Sequence, residues 1–471
     1  MQAPSPQTSP GTVAALLATL TLAAPAEAEP TRYTLPRLVQ MARRSYPGVE
    51  AARQAVAAME AKLFQARWAW IPQGTVTGLL APAPERRCKD MVINGETINC
   101  IQTEEIIRND SFDSISIKGV YGRIELELGM PLYTFDKLGA AKRAAMAGLS
   151  ARKAQVKVAQ EKVAADVARA YWGLKLAREI LYTVKEGQGH LVKAIKKVES
   201  DLDEDKGDVT ESDRLRLKTA AAEVESRLHE ARKGEALARA TLAALTGIRD
   251  HDFDIDEAVL KVMPGKPKAL TRYLALAHQH RPEVMALKAA GLARQAAVDL
   301  EKSRFYPDLL LVMMAGYGAA SSVDDPDHGY YSDPFNFLSA GFGLAMRWKW
   351  DQVQQYGKYR VARAEAGETD AKRREALMGI KLEVRKAALE QRESLDRLAS
   401  RKKGSKAARS WLVATVQNLE AGLASPKDLV DSLVAYFQMH LKYLKAVYDV
   451  NVGWYELARV TGVEQLAAVN Q

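Results

Sequence analysis

The residues best able to do chemistry are acidic and lie in one short stretch, ESDLDEDKGDVTESDRL, at positions 199–215. Between Glu199 and Asp213 it holds eight acidic residues against a single basic one, Lys206. Carboxylates that line an opening attract cations and repel anions. The alternative is a turn whose charges only keep it hydrated. Both interpretations stay open, and the stretch offers these candidates: Asp201, Asp203, Glu204, Asp205, Asp208 and Asp213.

Patterns typical of catalysis or cofactor binding are not found in the sequence. The seven histidines include one close pair, His278 and His280, which would point to different faces of a helix. The chain has no H-E-x-x-H, C-x-x-C or G-x-x-x-x-G-K-[ST] motif. We therefore predict a protein that is not an enzyme and holds no cofactor or metal.

Composition and the first residues indicate a large, exported protein. Hydrophobic residues make up 47% of the 471, and the net charge of +9 is not concentrated in a basic block, so nucleic acid is not an expected partner. Residues 1–28 have the features of a signal peptide, with an apolar core and a small-residue cleavage site. No Lys or Arg precedes that core, which leaves a non-signal apolar tail as the alternative. No later stretch has the ~18 apolar residues of a membrane-spanning helix.

The two cysteines, Cys88 and Cys100, lie in one polar segment. In an exported protein a local disulfide between them is expected, and two free thiols are the alternative. In either state the pair is structural rather than catalytic.

The spacing of prolines indicates very long helices. None occurs between Pro131 and Pro264, or between Pro334 and Pro426. Because a proline inside a helix costs about 3 kcal/mol or more, these gaps permit uninterrupted helices. We predict long helices over residues 137–246 and 351–460, in each case a long helix, a turn around Gly207 or Gly422, and a returning helix.

The chain carries the same pattern twice. One set of residues matches at an offset of 235 positions: Leu35, Pro47 and Pro72 with Leu270, Pro282 and Pro307. A second set matches at an offset of 215 positions: Asp136, Gly207 and Gly247 with Asp351, Gly422 and Gly462. A fixed frame with one longer loop is typical of internal duplication. This predicts a first structural repeat over residues 29–263 and a second over 264–471.

Each half also contains two candidate strands. Apolar residues alternate with polar or small ones in KGVYGRIELELGM and in SAGFGLAMRWKW. Alternation of this length is typical of a strand between lipid and water, and an ordinary half-buried strand is the alternative. We predict strands at about 73–81, 117–131, 308–318 and 339–350. The two strand patterns are offset by 216 rather than 215 positions, which predicts a bulge near Pro131.

Four strands cannot close a barrel, and an open sheet edge cannot face lipid because its backbone groups would go unpaired. Known small barrels begin at about eight strands. Copies of the chain must therefore share one barrel, and three copies would supply twelve strands.

With these features the chain resembles the TolC-like outer-membrane factors, or outer-membrane efflux proteins. The resemblance is carried by residues 33–73 and 270–308, by MPLYTFDKLGAAKRAAMAG at 130–148, and by the closing segment 428–462. It implies an α+β membrane protein that is a homotrimer. The shared β-barrel, with four strands per chain, would continue into a long periplasmic α-helical barrel, all built from an internal two-fold repeat.

The resemblance also implies a function. The chain would be the passive exit duct of a tripartite efflux or type I secretion system, set in outer-membrane lipid and exporting drugs, metal ions or polypeptides. A periplasmic adaptor and an inner-membrane pump of RND or ABC type would open its periplasmic tip. Asp213 and Asp431 fall where the family places tip-constricting acids, with Lys427 as a cationic partner and Asp428 in the same shortened turn. The alternatives are a periplasmic adaptor and a structural coiled-coil protein.

Overall fold

The computed structural model describes residues 31–85, 89–93, 95–101, 117–204, 209–249, 253–256, 259–323 and 334–463. The predicted signal peptide, residues 1–28, lies outside them. So does the predicted disulfide, because Cys88 is not among the described residues. Within the described ranges there are eight helices and eight strands.

The helices are α1 (Leu35–Ser45), α2 (Pro47–Trp68), α3 (Lys137–Asp203), α4 (Glu211–Thr246), α5 (Leu270–His280), α6 (Pro282–Ser303), α7 (Gln352–Glu420) and α8 (Pro426–Thr461). The strands are β1 (Thr31–Tyr33), β2 (Gln73–Pro84), β3 (Lys89–Ile93), β4 (Glu96–Ile101), β5 (Ile117–Tyr133), β6 (Phe253–Ile255), β7 (Asp308–Ala320) and β8 (Phe337–Arg347).

Apart from the additional hairpin β3-β4 in the first half, the order of elements from α1 to α4 occurs again from α5 to α8, and the helix lengths agree. The helices α1 and α5 have 11 residues each, α2 and α6 have 22, and α4 and α8 have 36. Pro47 and Pro282 are the first residues of α2 and α6, where a missing N–H leaves no helical bond unmade. Gly247 and Gly462 end α4 and α8 at φ 74° and 70°, a left-handed conformation that suits glycine. The same local signals therefore set the helix ends in both halves.

Two helical hairpins dominate the molecule. The first hairpin is α3 with α4, and the second is α7 with α8. The long arms α3 and α7 have 67 and 69 residues, which corresponds to about 100 Å each at 1.5 Å per residue. Each of the two regions with predicted long helices, 137–246 and 351–460, holds a long helix followed by a returning helix. Among the described residues no helix is both long and apolar enough to cross a membrane.

The main sheet has four antiparallel strands in the order β2-β5-β7-β8. Strands β2 and β7 begin directly after Pro72 and Pro307, where helices α2 and α6 have ended. The register of β5 against β7 shifts between Pro131 and Tyr133, which confirms the predicted bulge. The smaller sheets are the parallel pair β1-β6 and the hairpin β3-β4.

Strand β8 corrects one boundary. Alternation predicted a strand at about 339–350, but β8 ends at Arg347. The reason is that Trp348 turns away from the ladder: its indole N–H donates to the Phe305 carbonyl at 3.2 Å. Its ring packs edge-on against Trp350, with 4.7 Å between the centroids. These contacts carry the chain from the sheet into α7.

The helices enclose two apolar cores. One core lies among α1, α3, α5, α7, α8 and the β1-β6 pair, around Trp454, Tyr273 and Phe253. The other lies closer to the hairpin turns, around Leu191 and Leu433. The second core joins the two hairpins near the ends at which the acidic stretch is found.

Candidate functional site at the hairpin turns

Each returning helix begins with a capping box, and the two boxes correspond across the halves. The Asp213 amide donates to Thr210 Oγ1 at 3.3 Å, and Asp213 Oδ2 accepts from the Thr210 amide at 3.2 Å. The Asp428 amide donates to Ser425 Oγ at 3.3 Å, and Asp428 Oδ2 accepts from the Ser425 amide at 3.0 Å. These reciprocal bonds satisfy free backbone donors at the starts of α4 and α8.

Asp213 and Asp428 therefore stabilise the first turns of α4 and α8 through their capping boxes. The two residues are 215 positions apart, so they occupy corresponding positions in the two halves of the chain. The hydrogen bond from the Ser425 side chain, with smaller contributions from its backbone amide and from Lys427, lowers the pKa of Asp428 below its usual range. Asp428 therefore stays ionised in its cap near neutral pH.

The first turn is less acidic than its sequence predicted. Lys218 Nζ lies 2.9 Å from Glu199 Oε1, and Arg214 contacts both Glu199 and Glu211. The hydrogen bond from Lys218 is the main cause of a lowered pKa at Glu199. Helical spacing from Glu211 to Arg214 could have revealed part of this pairing in the sequence. Arg216 also lies 3.6 Å from Asp213 Oδ1. The cations of the following helical turns thus pair with three of the eight acids.

The remaining acids of the first turn lie at its surface. Asp203 and Glu204 are exposed and Asp201 is half-buried. Ser200 Oγ donates to Glu204 Oε1 at 3.3 Å. Asp205 and Asp208 lie outside the described residues. Three carboxylates of the predicted cluster are therefore brought together at the end of α3.

The second turn is short and carries fewer charges. Gly422 adopts φ 75°, a left-handed conformation that suits glycine. The chain can therefore turn directly after α7 ends at Glu420. Lys427 and Asp431 are both exposed. Leu423, at 80% exposure, is the large apolar side chain of this turn.

One lysine that the sequence did not single out connects the two hairpins. Lys197 Nζ, near the end of α3, donates to the Leu419 carbonyl at 2.5 Å and to the Glu420 carbonyl at 2.8 Å. These carbonyls belong to the last turn of α7, where backbone acceptors have no helical partner and attract a cation. Because the acceptors are backbone atoms more than 200 residues away, no sequence motif could have found this contact, which we name the Lys197 clasp.

A groove of about 1160 Å³ runs between α4 and α8, with α3 behind it. Its floor is apolar and includes Leu433 and Phe437. Its rim on α4 carries alternating charges: Arg216, Glu223, Arg227 and Glu230. The groove therefore offers an apolar strip with a charged border.

Two rings lie on α8 beside the groove, Tyr436, which is buried, and His440, which is half-buried. The Tyr436 hydroxyl donates to Glu186 Oε2 at 3.5 Å, and burial, aided by Glu186, raises the pKa of Tyr436 to about 12. His440 Nδ1 lies 2.9 Å from Ser405 Oγ, and burial lowers the pKa of His440. Both rings are therefore uncharged near neutral pH, which suits a packing role between helices.

Comparison with known proteins gives a family match in the second half of the chain. Residues 273–463 match the family model described as outer membrane efflux protein. This match confirms the predicted resemblance to TolC-like outer-membrane factors. No significant match is found among curated proteins.

Solved structures share the fold over most of the chain. The outer-membrane channel OprN matches with a TM-score of 0.71 and 17% identity, over 92% of this chain and 90% of that one. VceC from Vibrio cholerae matches with a TM-score of 0.70 and 18% identity, over 91% and 96%. CmeC from Campylobacter jejuni matches with a TM-score of 0.70 and 14% identity, over 91% and 85%. The fold is therefore that of outer-membrane channels, mostly helical with a sheet.

Proposed function

We propose that the chain is the exit duct of a tripartite efflux or type I secretion system and that three copies form it. Each copy contributes four strands to a barrel in the outer membrane and two hairpins to a helical tube in the periplasm. An inner-membrane pump of RND or ABC type supplies the energy through a periplasmic adaptor. The repeated order of elements supports an internal duplication, with halves at 29–263 and 264–471.

The apolar face of the main sheet is the observation that carries this proposal. The register of the four strands places their alternating apolar side chains on one face of the sheet. The apolar side chains of the two edge strands, β2 and β8, are the most exposed. On β8, Leu338, Phe342 and Leu344 are 84%, 85% and 80% exposed, and on β2 Leu80 is 80% exposed. An apolar face this large is unfavourable in water and suits lipid.

The edges of the sheet support sharing between copies. The described sheet ends at β2 on one side and at β8 on the other, each with one edge that pairs with no described strand. In lipid these backbone groups must be bonded, so β8 of one copy pairs with β2 of the next. Two copies would give eight strands, an interior that side chains fill, whereas twelve strands leave room for a duct.

The hairpin turns, at the far end of the helices from the sheet, form the gate of the duct. The Lys197 clasp holds the two hairpins of one copy together. Exposed Lys427 and Asp431 face outward for contacts with neighbouring copies. The acidic rim comprises Asp201, Asp203 and Glu204, and the sequence assigns Asp205 and Asp208 to it as well. The capping contacts of Asp213 and Asp428 make these two residues supports of the gate.

The groove between α4 and α8 is the docking site for the adaptor. Its apolar floor and charged rim fit one amphipathic helix, laid with its apolar face downward. A helix bound there would separate the two hairpins, and this would strain the Lys197 clasp. Docking and opening would thus be coupled within each copy.

The experiment is to extract the full chain from outer membranes in detergent, measure its mass by light scattering, and record currents after insertion into planar bilayers. The expected result is a species of three copies that conducts ions. A chain that stays dissolved as a monomer without detergent, and carries no current, would contradict the proposal.

A further inference from the structure

The second face of the main sheet is mostly small or polar. At one end of this face Asp308 and Arg347 lie opposite each other, and away from the ends its described charged side chains lie on one strand, β5. Glycines at 316, 318, 341 and 343 occupy this face on β7 and β8, and threonines at 75 and 77 occupy it on β2. Between the two ends of the sheet, the described charges are Arg123, Glu125 and Glu127 of β5. These three residues alternate along β5 with Ile124, Leu126 and Leu128, whose side chains lie on the apolar face. If the apolar face meets lipid, these three charges face the lumen.

Arg123 and Glu125 neutralise each other, whereas Glu127 is left charged and unpaired. The guanidinium of Arg123 donates directly to Glu125. Glu127 is exposed, and it makes no ion pair or hydrogen bond with another described side chain. Its cross-strand neighbours are Thr75 and Met314, which bring no cation.

The positions diagonal to Glu127 are also without positive charge. They are Gln73 and Thr77 on β2, and Val312 and Gly316 on β7. On β8, the strand after β7, the residue in line with Glu127 is Gly341, which pairs with Met314 and has open space above it. A lumenal solute therefore reaches the Glu127 carboxylate without obstruction from neighbouring side chains.

We propose that Glu127 is a cation-binding residue of the barrel and that its three copies form a ring that selects cations, polyvalent ones above all. This inference rests on the proposed three-copy duct. A ring of carboxylates in a pore concentrates cations and excludes anions. The low dielectric of the surrounding wall strengthens the attraction, and the attraction grows with the charge of the cation.

The test uses the full chain in planar bilayers, with spermine added to the chamber that the barrel faces. Spermine is the probe because its four charges match a small ring of carboxylates. Block from this side reports a site in the barrel before any solute reaches the helical tube. For Glu127→Gln the half-blocking concentration is expected to rise about tenfold or more, because all three copies lose their carboxylate.

Two matched variants separate a ring from general charge. Glu127→Asp keeps the carboxylate and should retain the block. The double variant Arg123→Gln/Glu125→Gln removes an ion pair with no change in net charge and should also retain it.

The proposal is overturned if spermine does not block the wild-type duct from the barrel side. It is equally overturned if Glu127→Gln leaves the block unchanged, or if the double variant weakens it as much. If the wild-type chain conducts and any of these three results is found, the proposed duct stands and only the ring is refuted. A wild-type chain that does not conduct refutes the duct and the ring together.

Discussion

A charge placed on the apolar face of β8 should prevent the chain from entering the outer membrane. Phe342 lies near the middle of β8, opposite Met313 of β7, and is 85% exposed. A lysine facing lipid near the midplane of a bilayer costs about 2–4 kcal/mol. In the proposed barrel of three copies, Phe342→Lys would cost about 6–12 kcal/mol for each barrel. That is comparable with the whole stability of an ordinary domain.

The matched control is Ser339→Lys, on the same strand but on the opposite face. Ser339 is exposed and lies opposite Gly316. If this face lines a hydrated lumen, the lysine stays in water and the cost is small. The two variants therefore add the same charge to the same strand and differ only in the face that carries it.

The assay is the amount of three-copy species in the outer-membrane fraction, measured on a gel without heating. We expect Phe342→Lys to be lost from this fraction and Ser339→Lys to resemble the wild type. An equal loss of both variants would mean that the added charge disturbs folding regardless of the face. Normal assembly of Phe342→Lys would refute the assignment of that face to lipid.

Three further predictions concern the helices. Lys197→Met, which removes both bonds to the end of α7, should raise single-channel conductance, whereas exposed Lys196→Met should not. Thr210→Ala and Ser425→Ala each remove a cap and should cost about 1 kcal/mol, visible as faster amide hydrogen exchange at the starts of α4 and α8. Burial raises the pKa of Glu161 to about 7, so the folded chain binds the proton more tightly and loses stability as pH rises from about 4.5 to about 7. The thermal midpoint of Glu161→Gln should therefore fall less than that of the wild type over this range, and an equal fall would contradict the assignment.

Much of the architecture could be predicted because it depends on local backbone signals. Pro47 and Pro282 begin helices and Gly247 and Gly462 end them, and such signals act within a few residues. The bulge near Pro131 was predictable because one extra residue changes the alternation of the strand. The end of β8 was not predictable, since Trp348 leaves the ladder for a bond to a carbonyl 43 residues earlier.

The site was harder to predict, because its chemistry depends on contacts between distant segments. Counting charges identified the acidic stretch but treated its residues as equivalent. The structure divides them: Glu199 is neutralised by Lys218, Asp213 caps α4, and Asp203 remains exposed. The Lys197 clasp was not predictable, because its acceptors are backbone carbonyls. Every residue has such a carbonyl, so no residue type marks the contact in the sequence.

The acidic turn and the Glu127 ring should act as two independent filters. The helix α3 alone separates them by about 100 Å, and salt at about 0.1 M screens charges beyond about 10 Å. Neutralising the turn with Asp203→Asn/Glu204→Gln should change spermine block from the tube side only, and Glu127→Gln should change it from the barrel side only. In the combined variant, block from each side should match that of the corresponding single variant within about 0.5 kcal/mol, as expected for distant sites. A larger coupling would mean that the helices transmit a conformational change between gate and barrel, because electrostatics cannot act over that distance.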